Sequence, residues 1–150
     1  LSQKEGKEFI DIYFNKYPGI LNYLEGIKSQ CHTSGYIETL LGRRRYLPEI
    51  NSRNFHLRSQ AERAAINMPI QGTAADIIKI AMINIDEQLK VLGMESKMIL
   101  QVHDELIFEV PRQELQQLES LVGELMPSAV ILDVPLEIEM KTGPDWGNLK

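Results

Sequence analysis

Apolar residues in the first part of the chain recur at helical spacing. Ser2 and Glu5 stand at the spacing of a capping box, which predicts the start of a helix. Apolar positions within residues 9–14 form one face of that helix, and the Pro-Gly pair within residues 17–19 predicts its end. A further apolar stripe over residues 20–31 predicts a second helix. We expect this region to be a packed helical hairpin without chemistry of its own.

The middle of the chain predicts one short strand and two helices. Residues 36–41 are rich in β-branched and aromatic side chains, which favours a strand. A helix is expected to begin at about Phe55. Pro69 has no backbone N–H to donate, so we expect that helix to break near Met68. The next helix is expected over residues 72–92, where apolar residues repeat at helical spacing.

Two short apolar runs, residues 98–102 and 106–110, flank the charged trio His103, Asp104 and Glu105. Short apolar runs joined by a few polar residues predict a strand, a tight turn and a strand. A hairpin tip is rigid and holds polar groups where a metal or a substrate can reach them. The alternative is a surface hairpin with a charged turn and no further role.

The end of the chain predicts a covering helix and a strand. Residues 115–125 carry apolar side chains at helical spacing, and we expect this helix to cover the sheet. Residues 134–140 alternate strictly between apolar and polar or charged positions, which predicts a strand with one buried and one acidic face. Trp146 is expected to pack against the sheet.

Composition places the chain among ordinary globular proteins. It has 150 residues, of which 43% are hydrophobic and 25% charged, so one domain is the simplest expectation. No stretch approaches the roughly 18 apolar residues that a membrane span requires. Cys31 is the single cysteine, which excludes an internal disulfide and suits a reducing compartment. Because the first residue is Leu1 and not Met, we expect a piece of a longer chain.

Charge is distributed unevenly along the chain, whose net charge is −5. Residues 41–70 carry six Lys/Arg and two Asp/Glu, a net charge of +4. Residues 101–150 carry three Lys/Arg and ten Asp/Glu, a net charge of −7. Phosphate contact requires local positive charge and metal binding requires local carboxylates, so each region suits one of the two tasks.

Three motifs together resemble one family. Gln101-Val-His-Asp-Glu-Leu106 is similar to the palm hairpin of family A DNA polymerases, the bacterial DNA polymerase I type. Two further stretches are similar to motifs of the same family: Ala61-Glu-Arg-Ala-Ala-Ile-Asn-Met-Pro-Ile-Gln-Gly-Thr-Ala-Ala-Asp76 and Thr39-Leu-Leu-Gly-Arg-Arg-Arg-Tyr-Leu-Pro48. All three stand in the family's order and spacing, and the resemblance runs from about Ser2 to the end of the chain.

The resemblance implies an α+β fold and a division into two subdomains. It implies an antiparallel palm sheet with a catalytic β-hairpin, covered by long helices, and an N-terminal helical segment from the fingers. Residues 1–34 are expected to be the helical end of the fingers and residues 35–150 the palm. The chain is therefore expected to be the C-terminal part of a polymerase domain.

The resemblance also implies template-directed DNA synthesis, in which a primer 3′-hydroxyl attacks the α-phosphate of a dNTP. Two divalent metals would assist, with Mg²⁺ expected and Mn²⁺ as an alternative. Asp104 matches the family's metal-binding aspartate of the palm hairpin. Glu105 is expected to contact a metal or a water, and His103 matches a position near the primer end. The expected partners are primer–template DNA, dNTP and the rest of the polymerase chain, without a membrane.

DNA contacts are expected at two places that the resemblance identifies. Arg63, Asn67 and Gln71 match family residues that line the minor groove of the primer–template duplex, and they are expected to straddle the junction of two helices. Arg43, Arg44 and Arg45 are expected to contact the DNA backbone, because guanidinium groups present several donors to phosphate. The alternatives are a solvated basic turn and a polar helix face exposed to water.

One departure from the family pattern limits these expectations. The family's other metal-binding aspartate lies in an upstream motif that does not occur in these 150 residues, so the isolated stretch is expected to be inactive. The chain would act in replication or repair at the bacterial nucleoid in the cytoplasm, or in an organelle of a eukaryote.

Two rival functions remain open. One is a non-catalytic DNA-binding module that uses residues 43–71. The other is a metal phosphohydrolase built on the pair His103-Asp104. That class requires further histidine ligands, for which only His32 and His56 are left.

Overall fold

The structure is a computed structural model, which describes residues 2–149 and divides between Thr73 and Ala74 into two compact units. It is a mixed α and β structure, which confirms the predicted fold class. The main elements are α1 (Gln3–Lys16), α2 (Pro18–Ser34), β1 (Tyr36–Glu38), β2 (Arg44–Tyr46), α3 (Phe55–Val91), β3 (Lys97–Val102), β4 (Glu105–Glu109) and α4 (Leu115–Leu125). Short 3₁₀ turns occupy Pro48–Asn51, Arg112–Glu114 and Trp146–Asn148.

Local sequence signals set the ends of the first two helices, and α1 begins and ends where the sequence predicted. The Ser2 hydroxyl accepts a hydrogen bond from the Glu5 backbone N–H, and the Glu5 carboxylate accepts one from the Ser2 N–H at 2.7 Å. This capping box satisfies two N–H groups that the first turn leaves without helical partners. Pro18 occupies the first turn of α2, and Gly35 ends α2 with a φ of +76°, a conformation that glycine adopts without strain.

The first unit has a small core formed by α2, the β1–β2 region and the first half of α3. Its buried residues are Cys31, Ile37, Leu47, Ile50, Ala61, Ala65 and Met68. Three come from α3 at helical spacing, so one face of that helix closes the core. The exposed face of the same turns is left for polar residues.

Two of the three consecutive arginines, Arg44 and Arg45, lie in strand β2, and Arg43 precedes it. β1 ends at Glu38, earlier than expected, and the chain reverses over residues 39–43, with Gly42 at a φ of +81°. β2 then pairs antiparallel with β1, with Tyr36 opposite Tyr46 and Glu38 opposite Arg44. A run of three arginines taken alone favours a solvated turn, whereas the cross-strand pairs formed here stabilise a hairpin.

Helix α3 is continuous through Pro69, so the predicted break near Met68 and restart at residue 72 are wrong. A proline inside a helix costs about 3 kcal/mol. Burial on both sides of Pro69 outweighs that cost, because each fully buried Ile, Leu or Met contributes about 1.5–3 kcal/mol. The buried residues of α3 after Pro69 include Ile78, Ile85 and Leu89.

No helix within residues 2–149 is long and apolar enough to cross a membrane.

The second unit packs a hairpin against helices, as predicted. β3 and β4 pair antiparallel, and the register shifts between Met98 and Leu100. Met98, Leu106 and Phe108 from the hairpin pack on a core formed by α3 and α4. The buried residues of that core are Ile85, Leu89, Leu118 and Val122. α4 therefore covers the sheet, as the sequence indicated.

Two expectations for the end of the chain are wrong. Residues 134–140 form no strand, although Ile138 does pack on the second core. Alternation predicts which side chains face inward, but a strand also requires a neighbouring backbone, and within residues 2–149 none pairs with this segment. Trp146 does not pack against the sheet as a buried residue, because 57% of its surface is exposed.

Glu114 fastens the loop that leads into β3. Its carboxylate accepts hydrogen bonds from the backbone N–H groups of Glu95 and Ser96, both at 2.9 Å, and from the Ser96 hydroxyl at 2.5 Å. These donors, the Ser96 hydroxyl first, hold the pKa of Glu114 below its ordinary value, against a smaller opposing effect of desolvation.

We predict that Glu114→Gln removes part of the acid sensitivity of the fold. A carboxyl whose pKa is lowered by folding stabilises the native state above its unfolded pKa, about 4.3 for glutamate, and loses that contribution as the pH falls through the folded pKa. Urea unfolding at neutral pH should therefore find the variant less stable, and the difference should shrink toward pH 3. The exposed Glu124 of α4 provides the control. A stability difference that stays constant with pH would contradict the role given to Glu114.

Candidate metal and nucleic-acid site

The tip of the β3–β4 hairpin is a two-residue turn. Val102 pairs with Glu105, so His103 and Asp104 form the turn and Glu105 begins β4 rather than belonging to the turn as predicted. His103 has a φ of +55°, as the first position of a tight hairpin turn requires. The Gln101 side-chain amide donates to the His103 carbonyl at 3.0 Å. The tip is thus held by backbone pairing and by one side chain.

His103, Asp104 and Glu105 are all exposed. Among residues 2–149, their side chains make no hydrogen bond or ion pair. Directly after them, Leu106 and Phe108 pack into the core of the second unit. The hairpin therefore presents two adjacent carboxylates to solvent from an anchored base.

Carboxylate oxygens are the donors that Mg²⁺ prefers, so Asp104 and Glu105 fit a divalent metal chemically. They are an incomplete ligand set, since no group of three or more His, Cys, Asp or Glu side chains in the described part of the chain converges to hold an ion. Cross-strand pairing directs Glu105 to the same face as Val102, while Asp104 lies in the turn itself.

The structure disfavours a His-Asp phosphohydrolase. The pair His103-Asp104 lies in a hairpin turn, and the other two histidines lie in the first unit. The His32 Nδ1 atom is 2.9 Å from Asn51 Oδ1, and its Nε2 atom is 3.3 Å from Glu62 Oε1, so both ring nitrogens have local partners. The His56 ring lies edge-on to Phe55. His32 is thus engaged within the first unit, and neither histidine is seen beside a carboxylate and a further histidine in the described part of the chain.

A polar stripe runs along the exposed face of α3 in the first unit. Arg63, Asn67 and Gln71 are exposed and lie four residues apart on a single helix, whereas the sequence predicted a stripe across a helix junction. At about 1.5 Å of rise per residue, the stripe spans about 12 Å, which is three to four base-pair steps of about 3.4 Å. The stripe therefore has the length and the donors to follow a groove edge.

The three arginines of the β1–β2 region are not equivalent. Arg44 donates from Nε to Glu38 Oε1 at 2.6 Å, and its guanidinium lies 4.6 Å from the centre of the Tyr36 ring. The bond to Glu38, first among several causes, raises the pKa of Arg44 above its ordinary value. Arg45 pairs across the strands with Ile37 and is exposed. Arg44 is thus engaged within the hairpin.

Comparison with known proteins identifies the family. The protein-family model described as DNA polymerase family A matches residues 1–148 of this sequence. The chain belongs to DNA polymerase family A. The DNA polymerase I of Streptococcus pneumoniae is 51% identical over 150 residues, and that of Bacillus subtilis is 49% identical. Each comparison covers 100% of this chain and 17% of the relative, so the chain spans about a sixth of the proteins it matches.

A solved structure extends the likeness to three dimensions. It is described as the POL domain of Pol1 from M. smegmatis in complex with DNA primer-template and dNTP. The TM-score is 0.88 at 52% sequence identity, over 91% of this chain and 24% of that one. The predicted membership of family A is confirmed, and the fold of this chain is that of part of a family A polymerase domain.

The family A assignment leaves the individual site residues as predictions. The hairpin tip and the α3 stripe lie in different units. Sequence reasoning missed Glu38 and Tyr36 as partners of Arg44. Opposite charges flanking the Leu-Gly sequence at residues 41–42 could have indicated a hairpin with Glu38 and Arg44 across from each other.

We predict that Arg44→Ala destabilises the first unit, whereas Arg45→Ala leaves its stability close to that of the wild type. The first change removes the bond to Glu38 and the stacking on Tyr36, and the second removes an exposed side chain without a partner among residues 2–149. Thermal unfolding followed by circular dichroism measures both variants. Equal losses would show that Arg44 is no more engaged than its neighbour.

Proposed function

We propose that this chain forms part of the active site of a DNA-directed DNA polymerase, which transfers a nucleotide from a dNTP to the 3′-hydroxyl of a primer. The observation that carries the proposal is the exposed carboxylate pair at the anchored tip of the β3–β4 hairpin, in a chain of family A. Support for the substrates comes from the related Pol1 domain, whose structure is described with primer-template and dNTP.

At the hairpin, Asp104 is proposed as a metal ligand and Glu105 as a further contact to the metal or its water. When bound, a pair of divalent metals, Mg²⁺ or Mn²⁺, lowers the pKa of the attacking hydroxyl and neutralises charge on the leaving oxygens. The protein's part is to hold the carboxylates in place, which the packing of Leu106 and Phe108 achieves. His103 is proposed to lie near the primer end and to help position it.

The α3 stripe is proposed to hold the primer–template duplex. Arg63, Asn67 and Gln71 carry donors suited to the purine N3 and pyrimidine O2 acceptors that line the minor groove of every correct base pair. Contacts of this kind test the shape of a pair without reading its sequence. Arg45 is proposed to contact the phosphate backbone, and Arg43 to do so from the end of the turn. Arg44 has the weakest case, because Glu38 already neutralises it.

The whole activity is proposed for a longer polypeptide. We propose residues 1–34 as the end of the fingers and residues 35–150 as the palm, acting with the rest of the polymerase chain in replication or repair. The proposed compartment is the bacterial nucleoid or a eukaryotic organelle. One carboxylate hairpin holds too few ligands for two metals, so the 150 residues alone should not extend a primer.

We predict that Asp104→Asn in the full polymerase abolishes primer extension while primer–template binding survives. A metal contributes several kcal/mol of charge stabilisation, and each 1.36 kcal/mol is tenfold in rate, so the loss should be at least about a thousandfold. Extension of a labelled primer in Mg²⁺ and equilibrium binding of the same DNA measure the two quantities.

Glu109→Gln is the matched control, because Glu109 is an exposed carboxylate at the far end of the same hairpin. It should extend primers like the wild type. An Asp104→Asn enzyme that extends primers at the wild-type rate would make Asp104 a turn residue and remove the central assignment. Binding without any extension by the wild-type enzyme itself would favour a non-catalytic DNA-binding protein.

A further inference from the structure

The turn between β1 and β2 is fastened to helix α3 by residues that no proposed DNA contact uses. The Leu40 backbone N–H donates to the Thr73 hydroxyl at 2.9 Å. One residue away, a Cβ added to Gly72 would lie 2.6 Å from the Thr39 methyl group, closer than such atoms approach each other. The turn therefore rests directly on the backbone of α3 at Gly72 and Thr73.

Thr39 makes this contact stiff. It is 5% exposed, and its β-branched side chain has few accessible rotamers. Its hydroxyl accepts a hydrogen bond from the Arg43 N–H at 3.1 Å, and its own N–H donates to the Arg43 carbonyl at 2.9 Å. The Gly42 N–H donates to the Thr39 carbonyl at 3.0 Å. The turn is thus internally bonded at the point where it meets the helix.

The contact lies one helical turn beyond the weakest point of α3. Pro69 has no N–H for the carbonyl of Ala65, and its ring crowds that carbonyl, so a helix tends to bend there. Gln71 is the first residue of the polar stripe beyond Pro69, whereas Asn67 and Arg63 precede it. The alignment of Gln71 with the other two depends on the direction that α3 takes after the proline.

We propose that Thr73, Gly72 and Thr39 form a brace, defined as these three residues, that holds α3 in line past Pro69 and so positions Gln71 on the primer–template duplex. The proposal rests on the proposed polymerase function. The brace residues act through Gln71 and are positioning residues.

Loss of the Thr73 hydroxyl should alter this direction more than it alters overall stability. Leu40 is 63% exposed, so water can replace the hydroxyl at its N–H. Thr73→Val keeps the shape of the side chain and removes the hydroxyl that accepts from the Leu40 N–H. Thr73→Ser keeps the hydroxyl acceptor and should therefore keep the direction of α3 after Pro69.

We predict that Thr73→Val in the full polymerase weakens primer–template binding by about threefold to tenfold, which is the size of one lost hydrogen bond. Fluorescence anisotropy of labelled DNA at one fixed salt concentration measures the affinity, and thermal unfolding reports stability. Thr73→Ser should bind like the wild type. Thr33→Val is the matched control, because within residues 2–149 the Thr33 hydroxyl bonds only to the Ser29 carbonyl of its own helix, and it should also bind like the wild type.

A cycle with Gln71→Ala separates positioning from a merely structural role. If Thr73 acts through Gln71, then Gln71→Ala with Thr73→Val should bind no more weakly than Gln71→Ala alone. Pro69→Ala restores a backbone donor, so Pro69→Ala with Thr73→Val should recover most of the lost affinity. Effects that simply add in the cycle, or an unchanged affinity in Thr73→Val, would overturn the brace.

Gly72→Ala tests the same brace through different atoms, and it keeps the test decisive should Thr73→Val fold poorly. Alanine favours a helix more than glycine does, yet its Cβ would displace Thr39 from the helix. Reduced DNA affinity with an undiminished unfolding temperature would support the brace, and wild-type affinity would refute it. A wild-type enzyme that extends no primer would instead refute the proposed function.

Discussion

Each of the two units depends on the burial of apolar side chains of helix α3 in its own core. In the first unit, Ala61, Ala65 and Met68 close the core against α2 and the β1–β2 region. In the second unit, Ile85 and Leu89 do the same for the hairpin and α4. The two runs of buried residues stand on either side of Pro69. The helix therefore stays continuous across a residue that would end an isolated helix, and the opposite face of its first half is left for polar groups.

Signals that act over a few residues were predictable from the sequence, and signals that need a distant partner were not. The capping box at Ser2 and the glycine that ends α2 satisfy backbone groups within one turn, and Pro18 has no N–H to leave unpaired at the start of α2. Pro69 is an equally local signal for a helix break, but the burial of α3 side chains on both sides of it keeps the helix continuous. Residues 134–140 alternate as a strand does, yet alternation gives no information about which backbone would pair with them.

The same distinction applies to the candidate site. Residue types and their order predicted carboxylates at a hairpin tip and a polar stripe along a helix, and the structure has both exposed to solvent, while their roles stay predictions. Which side chains remain available is a tertiary property, as the arginine run illustrates. Three consecutive arginines are alike in sequence, but side chains alternate between the two faces of a strand. Arg44 therefore contacts Glu38 and Tyr36, while Arg45 lies on the other face, opposite Ile37. The contact between Thr73 and the β1–β2 turn could not be predicted from the sequence either, because Leu40 and Thr73 are 33 residues apart.

The separation of charge along the chain agrees with the proposed roles of its two parts, because each role requires side chains that an ion pair does not already engage. An arginine opposite a carboxylate is engaged, as Arg44 is with Glu38, and it then offers little to a phosphate. The same logic holds for a carboxylate that must bind a metal. Within β3 and β4 the one Lys or Arg is Lys97, which pairs with Glu109 at the far end of the hairpin from Asp104 and Glu105. The basic block at residues 41–70 lies in the other unit. The proposed contacts to phosphate and to metal therefore draw on different segments of the sequence, each rich in the charge that its proposed ligand requires.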